Sequence, residues 1–307
     1  MVENLIFNLL IKIAIMILIG YVIKKIGIIT DQMQKGLNTL LIKIILPLSI
    51  LMSSQNVYTK EAFKNMCIVG GITICYYIYA LIVAKLAKRM LKFTDKGKCV
   101  FITMVVFANV GFIGFPIANE LYGSQGTLYA VVYNICYQLI FFTYGISLLS
   151  GQKQIKFKMI YTNPVTISSI LSVVLFLLQF KFQEGIGSGF SSVGNMTVPI
   201  SMILIGASLA DAKILEIAKD KYSYYVSFLR MLVLPTIMFV FLFFLKLPSA
   251  IAGTCAVLTA LPSGSLNVIY AEQYDCEPEF ASRTVVQTMV IMMITIPLLI
   301  ILVNLFL

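Results

Sequence analysis

The sequence predicts an all-α polytopic membrane protein with ten transmembrane helices, and three observations lead to that prediction. Of its 307 residues, 60% are hydrophobic and only 12% are charged, whereas a soluble domain is about 45–50% apolar and about 25% charged. The mean hydropathy is +0.96. The apolar residues also fall into stretches of about 20, the length that an α-helix needs to cross roughly 30 Å of hydrocarbon.

Ten such stretches follow one another along the chain. The first has no basic segment in front of it and is too long for the apolar core of a signal peptide, so we expect it to remain as a membrane helix. The third, fourth and ninth are the least regular. The predicted helices span 5–26, 35–54, 66–90, 98–119, 125–149, 163–181, 190–212, 222–245, 249–273 and 280–306.

The distribution of Lys and Arg predicts which side of the membrane each loop occupies. The odd-numbered loops together carry 16 of these residues, and the even-numbered loops carry 4. Loops rich in Lys and Arg stay in the cytoplasm. Both termini are therefore predicted to lie outside, and the predicted location is the plasma (inner) membrane.

Composition also excludes several classes of function. The formal net charge is +10, but the basic residues sit in short clusters between apolar runs, so we predict no nucleic-acid partner. The chain has no His, which excludes imidazole proton relays and His-ligated metals. The six Cys show no C-x-x-C spacing. We therefore predict no metal and no cofactor, and without a nucleophile–base pair inside the bilayer we predict no enzyme.

The two halves of the chain resemble each other at an offset of about 152–154 residues. The matching segments are Ile45 to Ser49 with Thr197 to Ser201, Ala130 to Asn134 with Thr284 to Thr288, and Asn109 to Gly111 with Pro262 to Gly264. Five helices is an odd number, so the second copy enters the membrane inverted. The predicted division is a first repeat at 1–149, a short cytoplasmic linker at 150–162 and a second repeat at 163–307. Inverted repeats are typical of transporters, whose sites lie where corresponding helices are broken.

The fourth and ninth predicted helices contain such breaks. The fourth contains Asn109-Val-Gly-Phe-Ile-Gly-Phe-Pro116, in which Pro116 removes a backbone donor while Gly111 and Gly114 relax the backbone. A half-helix that starts near Pro116 would point unpaired N–H groups and a positive end into a cavity. Two such ends facing each other predict a site for an anion or a carbonyl-rich ligand. The break in the ninth helix contains Pro262, Ser263, Gly264, Ser265 and Asn267.

Arg230 is predicted to lie near the middle of the membrane. It follows Lys221 by nine residues, which is about 13 Å along a helix. A buried Arg is energetically expensive and usually marks an internal cavity, a substrate path or a pairing partner. Two roles stay open for it: a charge partner of the substrate, or a structural group that ties off carbonyls at helix ends.

The predicted cavity favours anions because it combines positive helix ends with one Arg and no central carboxylate. All 13 acidic residues lie in or beside loops, which leaves no group for proton coupling and few ligands for Na⁺. Polar residues on the adjoining helices are further candidates for the site, although helix–helix hydrogen bonding is their alternative role. These candidates are Ser49, Tyr133, Asn134, Gln138, Gln287 and Thr288.

At these residues the chain resembles the auxin efflux carrier family, which includes plant auxin exporters and bacterial permeases for malate-like acids. The match extends over nearly the whole length, and the paired N-x-x-x-x-G-x-P and A-L-P-x-G motifs are its most specific part. The motifs are Gly36-Leu-Asn38 through Leu46-Pro47-Leu48, Asn109 through Gly114 with Pro116 and Leu121-Tyr122-Gly123, Arg230 with Pro235, and Ala260-Leu261-Pro262 with Gly264 and Tyr270 through Tyr274.

The resemblance implies a fold and a mechanism. Helices one, two, six and seven form a scaffold, usually dimeric, and helices three to five and eight to ten form a moving transport domain. The implied activity is elevator-type exchange of an organic anion where helices four and nine cross, with Asn109 in contact with the substrate and Pro116 at the crossover. The implied partners are a small organic anion, the lipid bilayer and a second copy of the chain as a homodimer.

The chain also departs from the plant carriers. Asn267 stands where they have a second crossover proline, and the segment from Ser150 to Thr162 replaces their long cytoplasmic loop. The third helix offers Cys75, Tyr76 and Tyr77 but no acidic residue. Short loops and a composition rich in Lys and Ile suggest a bacterial member. Malate, malonate, lactate or a similar carboxylate is then a better substrate prediction than auxin.

Other functions remain as alternatives. A sodium-coupled organic-anion symporter of bile-acid-transporter-like architecture needs clustered amides and carbonyls at both breaks, which Asn109 and Asn267 partly provide. A receptor without transport is disfavoured by the inverted repeat with paired breaks. The preferred prediction is a secondary active transporter or uniporter for a small carboxylate.

Overall fold

Helices account for nearly all of the part of the chain that the computed structural model describes, which is residues 2–151, 162–211 and 220–306. Within these ranges no β-strand forms, apart from one pair of bridged residues. In chain order the helices are α1 (Val2–Lys25), α2 (Asp31–Gln55), α3 (Lys60–Met90), α4 (Asp95–Val106), α5 (Val110–Ser150), α6 (Pro164–Leu177), α7 (Glu184–Ala210), α8 (Lys221–Leu245), α9 (Ser249–Thr259), α10 (Ser265–Gln273) and α11 (Pro278–Phe306).

The prediction of an all-helical membrane protein is confirmed by helix length and hydropathy. Among the described residues, six helices (α2, α3, α5, α7, α8 and α11) are long and apolar enough to cross a membrane, and α6 and α9 are shorter apolar helices. The predicted fourth helix is divided between α4 and α5, and the ninth between α9 and α10. The ten-helix inverted repeat stays a prediction, and most of the predicted linker at 150–162 lies outside the described residues.

The boundary predicted between the fourth and fifth helices coincides with a sharp kink. We expected a loop between 119 and 125, and within it two helices, here labelled together as α5, meet at Gly123, whose φ of 59° is not helical. Glycine adopts a positive φ without steric cost, so one residue redirects the chain where several were expected. The Thr127 hydroxyl donates to the Gly123 carbonyl at 3.2 Å and supports this turn.

Three widened turns with π-helical hydrogen bonding lie directly before prolines. They are Leu41–Ile45 before Pro47, Val110–Gly114 before Pro116, and Leu229–Val233 before Pro235. Proline has no N–H group for the carbonyl four residues earlier, and in each case that carbonyl lies inside the widened turn. Such turns are frequent at functional sites, and at these three places the missing proline donor accounts for the widening. A further widened turn of α5, Phe141–Gly145, has no proline after it.

Two glycines allow the backbones of α1 and α7 to touch. A Cβ atom on Gly206 would lie 1.9 Å from the Ile17 carbonyl oxygen, and one on Gly20 would lie 2.1 Å from the Ile203 carbonyl oxygen. Helices in lipid associate by close packing, which small residues at the contact permit. The two glycines therefore determine how closely α1 and α7 approach.

α5 is the central helix, because it packs against α3, α6, α7 and α9. The large aromatic side chains of Tyr133, Phe141 and Phe142 on α5 are fully buried. α2 packs against α6 and α7. At the contact with α7, a Cβ atom on Gly194 would lie 3.0 Å from the backbone of Ser49. These contacts bring the starts of α5 and α10 to the boundary with α2, α6 and α7.

We expect Gly206→Ala to lower the free energy of unfolding by about 1–3 kcal/mol, because the added methyl group collides with the α1 backbone. Thermal unfolding of the purified protein in detergent measures this loss. Gly71→Ala is the matched control, since Gly71 is also helical but has no atom within 4 Å of its added Cβ. That variant should be as stable as the wild type or slightly more so. Equal midpoints for Gly206→Ala and the wild type would contradict the close contact.

Candidate functional site

The breaks in the two divided helices lie against each other as a short antiparallel pair of extended segments. The bridged residues are Ala108 and Ser263. The Asn109 N–H donates to the Pro262 carbonyl and the Gly264 N–H donates to the Phe107 carbonyl, both at 2.9 Å. Backbone that leaves the helix inside a membrane needs other partners for its polar groups. Here each break supplies those partners to the other, and we call this contact the crossover.

Side chains reinforce the crossover. The Ser263 hydroxyl donates to the Met104 carbonyl at 2.8 Å, and the Asn267 amide donates to the Phe107 carbonyl at 3.0 Å. The Thr288 hydroxyl of α11 accepts from the Ser263 N–H at 3.1 Å. These three side chains, all predicted as substrate contacts, hold the backbone of the crossover in place.

α5 and α10 both begin at the crossover, so their N-terminal ends lie side by side. α5 begins at Val110, and Oδ1 of its N-cap Asn109 accepts from the Phe112 N–H at 3.3 Å. The Asn109 Nδ2 donates to the hydroxyl of Ser265, the first residue of α10, at 3.2 Å. The regular α-helix starts at Phe115, beside the predicted start near Pro116. The widened turn Val110–Gly114, capped by Asn109, extends the helix by five residues before that point.

Four backbone N–H groups at these two helix starts have no acceptor among the described residues. A helix leaves its first N–H groups unpaired, and the Asn109 side chain satisfies only that of Phe112. The unpaired groups belong to Val110, Gly111, Ser265 and Leu266. Each helix start also carries about half a positive charge. The pair can therefore stabilise a negatively charged oxygen.

A cavity of about 340 Å³ opens beside the two helix starts. It lies between α2, α5, α6, α7, α10 and α11, and most of its wall is apolar. The lining residues are Asn38, Ile42, Leu46, Ala108, Asn109, Val110, Gly111, Phe112, Asn134, Tyr137, Gln138, Asn163, Val165, Ser208, Gly264, Ser265, Leu266, Ile269 and Met289. None of these described residues is acidic or basic, so the polar groups of the wall are amides, hydroxyls and backbone N–H groups.

Six of the predicted contact residues line this cavity. They are Asn109, Gly111, Asn134, Gln138, Gly264 and Ser265. Two of them also join α5 to α6: the Asn134 amide donates to the Ser169 hydroxyl at 3.3 Å, and the Gln138 side-chain oxygen accepts from the Thr166 hydroxyl. These two residues therefore both hydrogen-bond to a neighbouring helix and line the cavity.

The remaining predicted contacts are not among the residues that line the cavity. They are Gly114, Pro116, Pro262, Ser263, Asn267, Ser49, Tyr133, Gln287 and Thr288. Tyr133 belongs to a buried aromatic cluster with Tyr76 and Tyr77, with ring centroids 6.1 Å apart in both pairs. Gln287 is buried, and neither atom of its amide has a partner among the described residues.

Four polar residues of the cavity wall are absent from the sequence predictions. They are Asn38, Tyr137, Asn163 and Ser208. Asn38 lies in the Gly36-Leu-Asn38 motif, which we used only to recognise the second helix. Asn163 caps α6 and accepts from the Val165 N–H at 2.9 Å, a position that its place before a proline indicates. A single Ser or Tyr in an apolar helix carries no comparable signal.

Arg230 lies beside the crossover and does not line the cavity. It is fully buried, and its Nε donates to the Leu261 carbonyl at 2.9 Å. Its Nη1 donates to the Val105 and Val106 carbonyls at 3.2 and 3.1 Å and to the Tyr76 hydroxyl. Of the two roles left open by the sequence, these contacts match the structural one, in which the guanidinium binds carbonyls at helix ends.

Comparison with known proteins connects the chain to membrane transport. A family model described as "Membrane transport protein" matches residues 5–159 and 153–300. The chain is similar to an uncharacterized transporter of Methanocaldococcus jannaschii, with 24% identity over 292 residues that cover 92% of this chain and 94% of that protein. It is also similar to an uncharacterized transporter of Methanothermobacter thermautotrophicus, with 22% identity over 293 residues, 94% of this chain and 95% of the relative. Both relatives are archaeal, and a bacterial source stays a prediction.

The contact between the two breaks can be tested by a disulfide between Ala108→Cys and Ser263→Cys. Residues opposite each other in an antiparallel pair have Cβ atoms about 4.5–5.5 Å apart, close to the separation that a disulfide spans. Mild oxidation of the double variant should therefore produce a linked peptide, which mass spectrometry of proteolytic fragments detects. Each single variant serves as a control for linkage to native Cys. A folded double variant that never yields this peptide would show that the breaks do not meet.

Proposed function

The chain belongs to the auxin efflux carrier family of membrane transport proteins, and from this premise we propose that it carries a small organic carboxylate across the plasma membrane. It acts as a secondary active transporter or uniporter. The carboxylate binds in the cavity, against the starts of α5 and α10. Transport proceeds by an elevator movement of the crossover and its surrounding helices relative to α1, α2, α6 and α7.

The observation that carries this proposal is the pair of unpaired helix starts on the cavity wall. Each start contributes about half a positive charge, so together they complement about one negative charge. The hydrogen bond from Asn109 to Ser265, at 3.2 Å, keeps the two starts adjacent. A carboxylate has two oxygens, and each start offers two N–H groups, which suits one oxygen at each start.

The apolar part of the wall indicates that the anion is organic. Ile42, Leu46, Phe112, Ile269 and Met289 contribute apolar side chains to the cavity wall. A sulfate or phosphate buried there would leave oxygens without hydrogen bonds, which is costly. A carboxylate with a carbon body instead places its charged end at the helix starts and its apolar end against these side chains. The cavity volume of about 340 Å³ suits a small molecule.

The position of the cavity supports a state open to the cytoplasm. Asn38 lies near the start of α2, Asn163 directly precedes α6, and Ser208 lies near the end of α7. These helix ends adjoin the loops that the distribution of Lys and Arg assigns to the cytoplasm. On the other side of the membrane, the Ser124 hydroxyl donates to Oδ1 of Asn56 at 2.9 Å. A cavity of this kind receives substrate from inside the cell, as an exporter requires.

The elevator movement is supported by the way the cavity is divided. One wall comes from α2, α6 and α7, which the family resemblance assigns to the scaffold, and the other from α5, α10 and α11, which it assigns to the moving domain. An ion pair between Lys12 of α1 and Glu120 of α5, at 2.6 Å, joins the same two groups on the predicted outer side. Such contacts break and reform when one group slides past the other.

Membrane potential is sufficient to drive export of such an anion. An inside-negative potential favours outward movement of one negative charge by about 2.3 kcal/mol per 100 mV. A tenfold concentration ratio is equivalent to about 1.4 kcal/mol, so a potential of about 100 mV supports an outward gradient of more than tenfold. Among the described residues, none on the cavity wall carries a carboxylate that could bind a coupling proton or metal ion.

The alternative function is sodium-coupled symport of an organic anion. One observation favours it: Oδ1 of Asn267 and both amide atoms of Gln287 are buried without partners among the described residues. Unpaired amide oxygens near broken helices are ligands that Na⁺ can use. This alternative differs from the main proposal in requiring Na⁺ for accumulation of substrate.

Counterflow in proteoliposomes distinguishes these functions. Vesicles that contain the purified protein are loaded with unlabelled malate, malonate or lactate and tested for uptake of the same labelled acid without Na⁺ or pH gradients. We expect accumulation, and we expect Asn109→Ala to lower apparent affinity about tenfold, because it removes the cap of α5 and the bond to Ser265 that keeps the two helix starts adjacent, and loss of a cap costs about 0.5–2 kcal/mol. Asn304→Ala, at an exposed Asn of α11, is the matched control and should transport normally. Accumulation only in the presence of Na⁺ would favour the symporter, and none with any carboxylate would reject the substrate class.

Accessibility of the cavity from one side of the membrane gives a second test. Asn38→Cys, in a chain whose native Cys are replaced, should react with a membrane-impermeant maleimide in inside-out vesicles but not in right-side-out vesicles. Addition of the carboxylate that shows counterflow should slow this reaction, because the substrate occupies the cavity. Val57→Cys, an exposed position beyond α2 on the predicted outer side, should show the opposite sidedness. Labelling of both positions from the same side would contradict the proposed orientation.

A further inference from the structure

Arg230 binds the two helix ends that point away from the cavity. α4 ends at Val106, and α9 ends two residues before Leu261. The guanidinium donates to carbonyls at both places, and the Tyr76 hydroxyl, which accepts from Arg230, donates in turn to the Val106 carbonyl at 3.3 Å. The contacts of this charge among the described residues are therefore backbone carbonyls and a phenol, with no carboxylate.

The charges at these helix ends match one guanidinium. Each helix C-terminus carries about half a negative charge, so the ends of α4 and α9 together carry about one. The guanidinium of Arg230 carries one positive charge. The negative ends of the crossover are therefore balanced within the protein, while the positive ends, the starts of α5 and α10, stay available to a ligand. This separation explains how an Arg can be buried without an acidic partner.

We propose that Arg230 is a tethered cation, a positioning residue that occupies the carbonyl ends of the broken helices where a coupling cation would otherwise bind. Carbonyls at unwound helices coordinate Na⁺ in transporters built from broken helices. Here carbonyls from both breaks already accept from a positive charge that is covalently attached to α8. This inference rests on the proposed function for one consequence only, that carboxylate transport requires no Na⁺.

The local geometry of α8 supports this role. Arg230 lies inside the widened turn Leu229–Val233, which precedes Pro235. Widened turns change the direction of side chains relative to a regular helix, so this turn sets the direction in which the guanidinium leaves α8. Because Arg230 is bonded to both α4 and the end of α9, α8 moves with them. The positive charge therefore stays with the crossover throughout the proposed elevator movement.

Chemical rescue tests the tethered cation without any substrate. Thermal unfolding of Arg230→Ala in detergent should show a large loss in midpoint, because removal of one partner leaves buried polar groups unpaired. Millimolar guanidinium chloride should recover at least half of that loss by binding in the space left by the side chain. The wild-type midpoint should be the same in NaCl and in choline chloride at equal ionic strength. Arg89→Ala, at an exposed Arg, is the matched control and should not respond to guanidinium.

A pair of conservative variants keeps the test decisive if Arg230→Ala does not fold. Arg230→Lys retains the charge with fewer donors, and Arg230→Gln retains a donor without the charge. The tethered cation requires Arg230→Lys to have the higher midpoint. Equal midpoints, a more stable Arg230→Gln, or a guanidinium effect equal to that on Arg89→Ala would each overturn it. These measurements contain no carboxylate, so their outcome is separate from the counterflow result that tests the proposed function.

Discussion

The contact between the two broken helices is the interaction on which the rest of the structure depends. Each break exposes backbone N–H and C=O groups that have no water to bind within a membrane. The antiparallel pairing of Ala108 with Ser263 satisfies them, through hydrogen bonds of 2.9 Å on either side. Without this pairing, the starts of α5 and α10 would have no reason to lie beside each other, and the cavity would lose its positive wall.

The crossover brings four helix ends together and separates their charges. The negative ends of α4 and α9 point to Arg230, and the positive starts of α5 and α10 point to the cavity. Asn109 joins the two positive starts, because it caps α5 and bonds to the first residue of α10. A site built in this way binds an anion with backbone groups. Its only buried charged side chain among the described residues, that of Arg230, holds the crossover in place.

The sequence predicted the breaks because glycine and proline act locally, through effects that need no knowledge of the fold. Pro116 indicated where the regular α-helix starts, but the widened turn before it was not predicted, because the Asn109 cap places the first helical residue at Val110. Tyr133 was chosen for its polarity, and its ring packs against Tyr76 and Tyr77 of α3. Asn38 and Ser208 reach the cavity only through the packing of α2 and α7 against α5, which no local pattern encodes.

Whether the crossover carries its own cation is tested most directly by measuring the net charge that moves with each transported substrate. We would measure the reversal potential of the substrate current across a planar membrane that contains the protein, with different concentrations of one monocarboxylate on the two sides. If the crossover carries its own cation, one negative charge moves per substrate, and the reversal potential changes by about 60 mV per tenfold gradient. It should not change when Na⁺ is replaced by choline. A reversal potential that follows the Na⁺ gradient would contradict the account.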